Sequence, residues 1–442
     1  MPTPPPATMA RHALSGNERG MILAMILLLL PVVTLLGAVA ITISTTDVEI
    51  SGNYKATVCA LAAAEAGLEE ARARLIGSAA DTTFAGDPAA NPNAAWTSYI
   101  LTINTWQTSH DPQYNAARTN DVPTTASRTN TTITANSLQT PIAYWVKLQH
   151  KREYDAEQAG HTVAVPHYYD GDGSTTPHTA AAPGSLLYYG YGNPATPATA
   201  VPFTTASATA FQPVEMLTAY GHSGGSVQAL TIEVVHDPGP PLPAVIYSQT
   251  NFIGHGSAMT ISGLDQCGVA PAIGSVYTLA PGTTSLSGSP TLLGNPSTPQ
   301  SGPMNIDIAG SINRLQAGAT VVTTDQNGTN IGSASEYVTV YSNTTNPVNA
   351  GGLTMQNGTG YGLLLVQGDL VMGGGFVWNG LILVSGNVTF NGGGGAANIR
   401  GAILGGSFES VNGGVDLGYD SCKIKEAFRR MPLRVLSWRE LE

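Results

Sequence analysis

Cysteine is the residue type with the most distinctive chemistry in this chain, and its 442 residues include only three. Cys59, Cys267 and Cys422 form no CxxC pair, so their spacing disfavours a zinc site. Cys267 and Cys422 both follow the N-terminal segment, and they could form one disulfide if that part of the chain lies outside the cytoplasm. The alternative is two unpaired buried thiols, and the sequence leaves both open.

Carboxylates offer a second kind of chemistry. The segment Asp170-Gly-Asp172-Gly places two carboxylates two residues apart between glycines, and such a loop can bend round a calcium ion. An EF-hand loop needs further ligands at fixed offsets and a distal glutamate, which this segment lacks, so we interpret it as a polar turn. His161, His167 and His178 lie nearby without a regular helical or strand spacing, so no metal site is predicted.

The sequence lacks two motifs of known catalytic sites: it contains no HExxH pair and no GxxxxGK(S/T) phosphate loop. Asp369, Glu409, Asp416 and Asp420 do not recur at a constant interval, so the paired carboxylates of a glycosidase are not indicated. We therefore predict a protein without enzymatic activity or cofactor. The net charge of −11 argues against nucleic acid as a partner.

The longest apolar run lies near the N-terminus. No residue from Met21 to Ile43 is charged, and at ~1.5 Å per residue such a helix crosses a hydrocarbon core of ~30 Å. The leader, residues 1–20, is polar and carries Arg11 and Arg19, which keep it cytoplasmic by the positive-inside rule. A secretory signal has its apolar stretch before the cleavage site. Here the order resembles a class III (prepilin) leader, which implies cleavage between Gly20 and Met21.

Helix-forming residues continue beyond the apolar run. One apolar stripe recurs at intervals of three and four residues: Leu61, Ala64, Leu68, Ala71 and Leu75. Gly77 is a suitable stop signal. We therefore predict one long helix within residues 21–77, half of it in the membrane and half amphipathic.

Four short segments carry a more specific resemblance. They are Asn17-Glu-Arg-Gly20, Thr34-Leu-Leu-Gly37, Gly52-Asn-Tyr54 and Ala63-Ala-Glu-Ala-Gly-Leu68. With them, the region from about residue 17 to residue 75 resembles the PilX family of type IV pilus minor pilins. The resemblance implies a prepilin peptidase as processing enzyme, other major and minor pilins as partners, and a single span of the bacterial inner membrane with a periplasmic C-terminus, followed by export into the extracellular filament.

Position five of the mature chain departs from the pattern of major pilins. Those proteins carry a glutamate there that is used in filament docking, whereas this chain has Met25. The resemblance therefore argues against repeated packing of this chain inside a filament body. A plain single-pass anchor that is never processed is the alternative.

Residues 78–240 predict a pilin-like head with low-complexity insertions. The segment 142–148 is rich in strand formers, and the segments 215–220 and 227–236 predict a hairpin with a glycine-containing loop. Three antiparallel strands would lie across the long helix. The proline-rich run from Asp237 to Pro243 predicts a stiff linker at the boundary of the head.

Residues 241–442 are rich in glycine and in short apolar strands. The analogous elements Gln367-Gly-Asp-Leu-Val-Met and Ser385-Gly-Asn-Val-Thr-Phe lie about eighteen residues apart. A period of eighteen to twenty predicts a β-solenoid or β-helix, with the C-terminal segment as its cap. A β-sandwich or jelly roll of short strands is the runner-up.

The predicted fold class is therefore membrane-anchored α+β, with a long pilin-type helix, a small antiparallel sheet and a glycine-rich all-β domain. The predicted function is that of a minor pilin of a type IV pilus or a related pseudopilus. A head of this size favours the filament tip, where it would prime assembly or bind glycans on surfaces or cells. The alternative is a membrane-anchored β-helix that binds glycans outside any pilus.

Overall fold

The computed structural model describes most of the chain. The described residues are 17–76, 97–101, 108–114, 143–158, 168–169, 176–179, 181–182, 184–190, 211–256, 258–268, 270–343, 352–391, 397–412 and 414–441. They form a long helix, an antiparallel sheet and a large parallel β region. The predicted α+β class is confirmed.

The helices and the strands of the head come first. The helices are α1 (Asn17–Ile76), α2 (Glu153–Gln158), α3 (Ile308–Leu315) and α4 (Ser421–Arg429). The first seven strands are β1 (Thr97–Leu101), β2 (Ala143–His150), β3 (Tyr168–Tyr169), β4 (Tyr188–Gly190), β5 (Phe211–Pro213), β6 (Glu215–Ser223) and β7 (Ser226–His236).

The remaining strands follow the linker. They are β8 (Ala244–Ser248), β9 (Phe252–His255), β10 (Thr260–Ser262), β11 (Gly274–Thr278), β12 (Thr284–Ser287), β13 (Thr291–Leu293), β14 (Gln300–Ser301), β15 (Thr320–Val321), β16 (Gln326–Asn327), β17 (Val338–Asn343), β18 (Leu353–Gln356), β19 (Thr359–Gln367), β20 (Leu370–Gly373), β21 (Val377–Asn391), β22 (Ala397–Asn412), β23 (Val415–Gly418) and β24 (Leu433–Leu441).

The head sheet is antiparallel and has the strand order β1-β2-β6-β7-β24. The C-terminal half of α1 packs across it, and the predicted stripe is buried at Ala64, Leu68, Ala71 and Leu75. Gly221 on β6 lies directly against the backbone of the helix, since a Cβ there would clash with the carbonyl oxygen of Ala60. The predicted helix, its stripe and the predicted hairpin of β6 and β7 are confirmed.

The strands from β8 to β23 form the parallel β region. Every strand pair that the structure describes in this sheet is parallel, which excludes an antiparallel sandwich or jelly roll for these strands. Thr359 pairs with Val377, eighteen residues later, as the predicted period requires. Other turns are longer, since Val338 pairs with Gly362, twenty-four residues later.

The order of winding could not be foreseen. The chain enters the parallel β region at β8 in the interior of the stack and adds β11 and then β14 toward one end. It then passes through α3 to the opposite end and winds back from β15 to β23. As a result β22, near the end of the chain, pairs directly with β8 and β9, near the start of the region.

Strands β19, β21 and β22 are buried on both faces. All four residues from Leu363 to Val366 are fully buried, as are Leu381 to Val384. One face looks into the core of the stack, and α3 and α4 cover the other with side chains that include Ile312 and Phe428. Strands buried on both faces read as continuous apolar runs rather than as alternation.

Strand β24 has a different place from the solenoid cap expected of the C-terminal segment. It pairs with β7 in the head sheet, where Leu433 lies opposite His236 and Leu441 opposite Ala229. Trp438 is exposed there instead of closing an end of the stack. The parallel β region is therefore an insertion between two neighbouring strands of the head, and its two connections leave the head side by side.

Candidate functional site

The proposed processing position lies at the beginning of α1. Gly20 and Met21 are in the first turns of the helix, and both are exposed. A Cβ added at Gly20 would meet no atom within 4 Å, so the position has open space around it. Outside its own helix, no described part of the chain therefore packs against Gly20.

The segment that follows carries a long apolar surface outside the folded head. Every residue from Gly20 to Lys55 is exposed, and α1 is long and apolar enough to cross a membrane, with a mean hydropathy of 2.8 in its most apolar window and none of that window buried. At ~1.5 Å per residue the exposed part of the helix extends roughly 50 Å from the head. A helix that is apolar all round needs a lipid environment or other apolar helices.

Polar groups in this helix are satisfied locally. The hydroxyl of Thr34 donates to the carbonyl oxygens of Leu30 at 3.0 Å and Pro31 at 2.9 Å, and that of Thr42 donates to Ala38 at 2.6 Å. Proline has no N–H, so the turn at Pro31 lacks one helix hydrogen bond. Back-bonded hydroxyls and one proline are compatible with a helix in lipid.

Comparison with known families addresses this same segment. Residues 19–69 match the PilX N-terminal family. This N-terminal region is type IV pilin-like. The match ends within the amphipathic half of α1, so it covers Gly20 and Met21, the exposed apolar helix and the first residues that pack on the head sheet.

Two further comparisons concern solved structures and curated protein sequences. The competence-associated pilin ComZ from Thermus thermophilus is a solved structure similar to this chain, at 10% sequence identity, with 87% of this chain and 98% of that chain covered. Its TM-score of 0.23 is too low to support an argument about the fold. No curated protein sequence matches the chain.

Behind the pilin-like helix, the far face of the head sheet carries buried ion pairs that the sequence reasoning missed. The Nζ of Lys147 lies 2.7 Å from Oδ2 of Asp111, and the hydroxyl of Tyr99 donates to the same oxygen at 2.9 Å. Both charged side chains are almost completely buried. The alternation of residues along β2 could have indicated this site, because Lys147 lies on the face opposite the apolar residues that pack against α1.

A second buried pair lies farther along the same segment. The Nζ of Lys151 is 2.6 Å from Oε1 of Glu233. Burial lowers the pKa of Lys151, and the adjacent carboxylate of Glu233 opposes this change. On the helix side, burial raises the pKa of Tyr144, whose hydroxyl bonds to Glu70 on α1. The Tyr144–Glu70 hydrogen bond therefore joins the sheet to α1.

The two cysteines of the later chain are joined in the structure. Cys267 and Cys422 form a disulfide with their Cα atoms 5.8 Å apart, and Cys59 on α1 is a free thiol. Asp420 lies beside the pair, and together the three could be taken for a metal-ligand set. The sulfurs are already bonded to each other, however, and the Asp420 carboxylate accepts from the Lys423 N–H as the N-cap of α4.

The remaining candidates from the sequence have different outcomes. Asp170, Asp172, His161 and His167 lie outside the described residues. His178 lies inside them, and its Nδ1 forms a hydrogen bond of 2.9 Å with Oε1 of Glu157.

Proposed function

We propose that this protein is a minor pilin of a type IV pilus or a related secretion pseudopilus, cut between Gly20 and Met21 by a prepilin peptidase. The observation that carries the proposal is the exposed apolar helix, which begins directly at the cleavage position. Before assembly this helix lies in the inner membrane, with the head on the periplasmic side. During assembly it exchanges lipid for the helices of other pilins.

Features at both ends of the molecule, the large head and the N-terminal helix, favour a place at the filament tip. The head carries the whole parallel β region as an insertion between β7 and β24, which is a large body to repeat along a thin filament. At the helix, Met25 is apolar and exposed where a major pilin has a docking glutamate. One copy at the tip avoids both difficulties. From there the parallel β region primes assembly or binds glycans on a surface or a cell.

Substitution of Gly20 by valine tests the proposal, because the open space at this position makes the change harmless to the fold. Gly37→Val is the matched control, since Gly37 is also an exposed helical glycine with no atom within 4 Å of an added Cβ. We expect the Gly20→Val chain to remain uncut. Its amount in the sheared filament fraction should fall about tenfold or more.

The Gly37→Val control separates a loss of processing from a general effect of valine in the helix. The Gly37→Val chain should be cut at the wild-type position and should appear in filaments. Equal recovery of both variants and the wild type in the filament fraction would refute processing at Gly20. If no form of the chain entered filaments, the anchored glycan-binding alternative would replace the pilin function.

A further inference from the structure

The C-terminal part of the chain connects the parallel β region to the head sheet. We call residues 415–441 the C-terminal strap; they comprise β23, α4 and β24. The first of these strands belongs to the parallel β region and the last to the antiparallel head sheet. The strap therefore contributes to two sheets that are far apart in sequence.

The first element of the strap, β23, pairs with strands from two earlier segments of the chain. Strand β23 lies between β22 and β10, with Leu417 opposite Ile399 on one side and Ile261 on the other. The strands that stack on the rest of β22 are β8 and β9, since Ile403 pairs with Ile246 and Phe408 with Phe252. One turn of the stack is thus built from two segments, which only the folded structure brings together.

The disulfide lies where the strap leaves this shared turn. Cys267 follows β10 and Cys422 follows β23, and the bond closes a separation of 155 residues. Asp265 reinforces the same place, because its carboxylate accepts from the N–H of Ser421 at 2.8 Å and from the Ser421 hydroxyl at 2.8 Å. The N–H of Gln266 also donates to the carbonyl oxygen of Tyr419 at 2.9 Å.

Beyond the disulfide the strap holds the head sheet to the parallel β region. The buried face of α4, with Ile424, Ala427 and Phe428, packs on β19 and β21. A Cβ on Gly239 would clash with the ring of Phe428, so the linker before β8 lies against the same helix. Strand β24 then pairs with β7 over its length.

We propose that the Cys267–Cys422 disulfide is a redox-dependent fastening of the C-terminal strap, made by a protein thiol–disulfide oxidase after the chain has left the cytoplasm. In the reaction the two thiols lose two protons and two electrons and form the S–S bond. The disulfide of the oxidase accepts them and becomes a dithiol. Cys422 lies 155 residues after Cys267, so the bond forms only after the intervening part of the chain has crossed the membrane.

The physical effect of the bond follows from its position. With the disulfide closed, the strap can detach only after Cys422, and β23 stays between its neighbours. With the disulfide open, only non-covalent contacts hold β23, among them its ladder, Asp265, the Arg400–Asp416 ion pair and α4, so it opens together with α4 and β24. Both cysteines are partly exposed to solvent, so a protein oxidase or a small reductant can reach them. The inference does not depend on the minor-pilin assignment.

Hydrogen exchange of the full-length protein in detergent micelles, read by mass spectrometry, tests the proposal. The wild type is compared before and after reduction, with the variants Cys422→Ser and Cys59→Ser alongside. After reduction, and in Cys422→Ser, we expect the amides of β23 and of the segment 263–268 to exchange at least tenfold faster, on the scale of local opening. The amides of α4 and β24 should also become faster.

The controls separate a local fastening from general destabilisation. Cys59→Ser should exchange like the wild type, because Cys59 is not in the disulfide. Strands β2 and β6 should keep their protection in every sample. Unchanged exchange of β23 after reduction, with complete reduction verified by thiol alkylation, would overturn the proposal. An equal rise in β2 and β6 would overturn it too, because the bond would then stabilise the whole head rather than the strap.

Discussion

Replacement of Gly380 by alanine is expected to destabilise the parallel β region by about 4 kcal/mol or more. Gly380 has a φ of +133°, a backbone conformation that L residues rarely adopt. A Cβ there would also clash with the carbonyl oxygen of Gly362, one turn away. That oxygen accepts from the indole N–H of Trp378 at 3.1 Å, so the clash disturbs a buried hydrogen bond as well.

The same position recurs in neighbouring turns. Gly362, Gly380 and Gly401 pair with one another through β19, β21 and β22, and all three have positive φ. Thermal unfolding followed by near-ultraviolet circular dichroism, which reports on buried aromatic side chains, measures the effect. A midpoint for Gly380→Ala within a degree of the wild type would contradict the packing described for this column.

Gly282→Ala is the matched control for Gly380→Ala. Gly282 also has a positive φ, +75°, but an added Cβ would meet no atom within 4 Å. Alanine at this position should therefore lower the free energy of unfolding only by the backbone penalty, about 1 kcal/mol. The difference between the two variants measures the contribution of the close approach between turns.

Replacement of Lys147 by methionine is expected to destabilise the head by about 3–5 kcal/mol. Methionine fills a similar volume but removes the cation 2.7 Å from the buried Asp111 carboxylate. The carboxylate then keeps hydrogen bonds from the Tyr99 hydroxyl and the Gln113 N–H but no counter-charge in the described part of the head. Thermal unfolding of the detergent-solubilised protein measures the loss.

Two control variants show whether the cost comes from the buried charge. The exposed Lys55 on α1 gives Lys55→Met, which should change stability by less than about 0.5 kcal/mol. The double variant Lys147→Met/Asp111→Asn carries no buried charge at this site and should recover more than half of the loss. A double variant as unstable as Lys147→Met alone would mean that packing, not charge, sets the cost.

Local patterns in the sequence predicted much of this structure. The uncharged run after Met21 and the stripe through Leu68 and Leu75 specify α1, because helix periodicity is a short-range signal. The hairpin of β6 and β7 follows from two strand segments around a glycine-containing turn. The repeated Gly-Asp and Gly-Asn elements likewise predicted turns of about eighteen residues.

The long-range features had no such signal. The pairing of Ile246 with Ile403 joins segments more than 150 residues apart, and no local residue pattern records which strand of a parallel stack adjoins which. The destination of β24 was missed for a related reason, because a strand of this composition fits the end of a stack as well as the edge of a sheet. Nor could the sequence identify Asp111 as the partner of Lys147.

The head architecture also bears on how the proposed minor pilin transmits load. The parallel β region is joined to the head sheet by two adjacent connections, the linker after β7 and the helix α4 before β24. The sheet is in turn fastened to α1, the element that would lie in the filament. A ligand pulling on the parallel β region therefore pulls on two neighbouring strands rather than on a single flexible tether.

The mass of the protein's N-terminal peptide, in cells with and without prepilin peptidase, tests the central claim most directly. Cleavage after Gly20 predicts a chain that begins at Met21 when the peptidase is present and a chain that retains the leader when it is deleted. The same N-terminus upstream of Gly20 in both strains would contradict processing as a pilin and would leave an anchored β protein in its place.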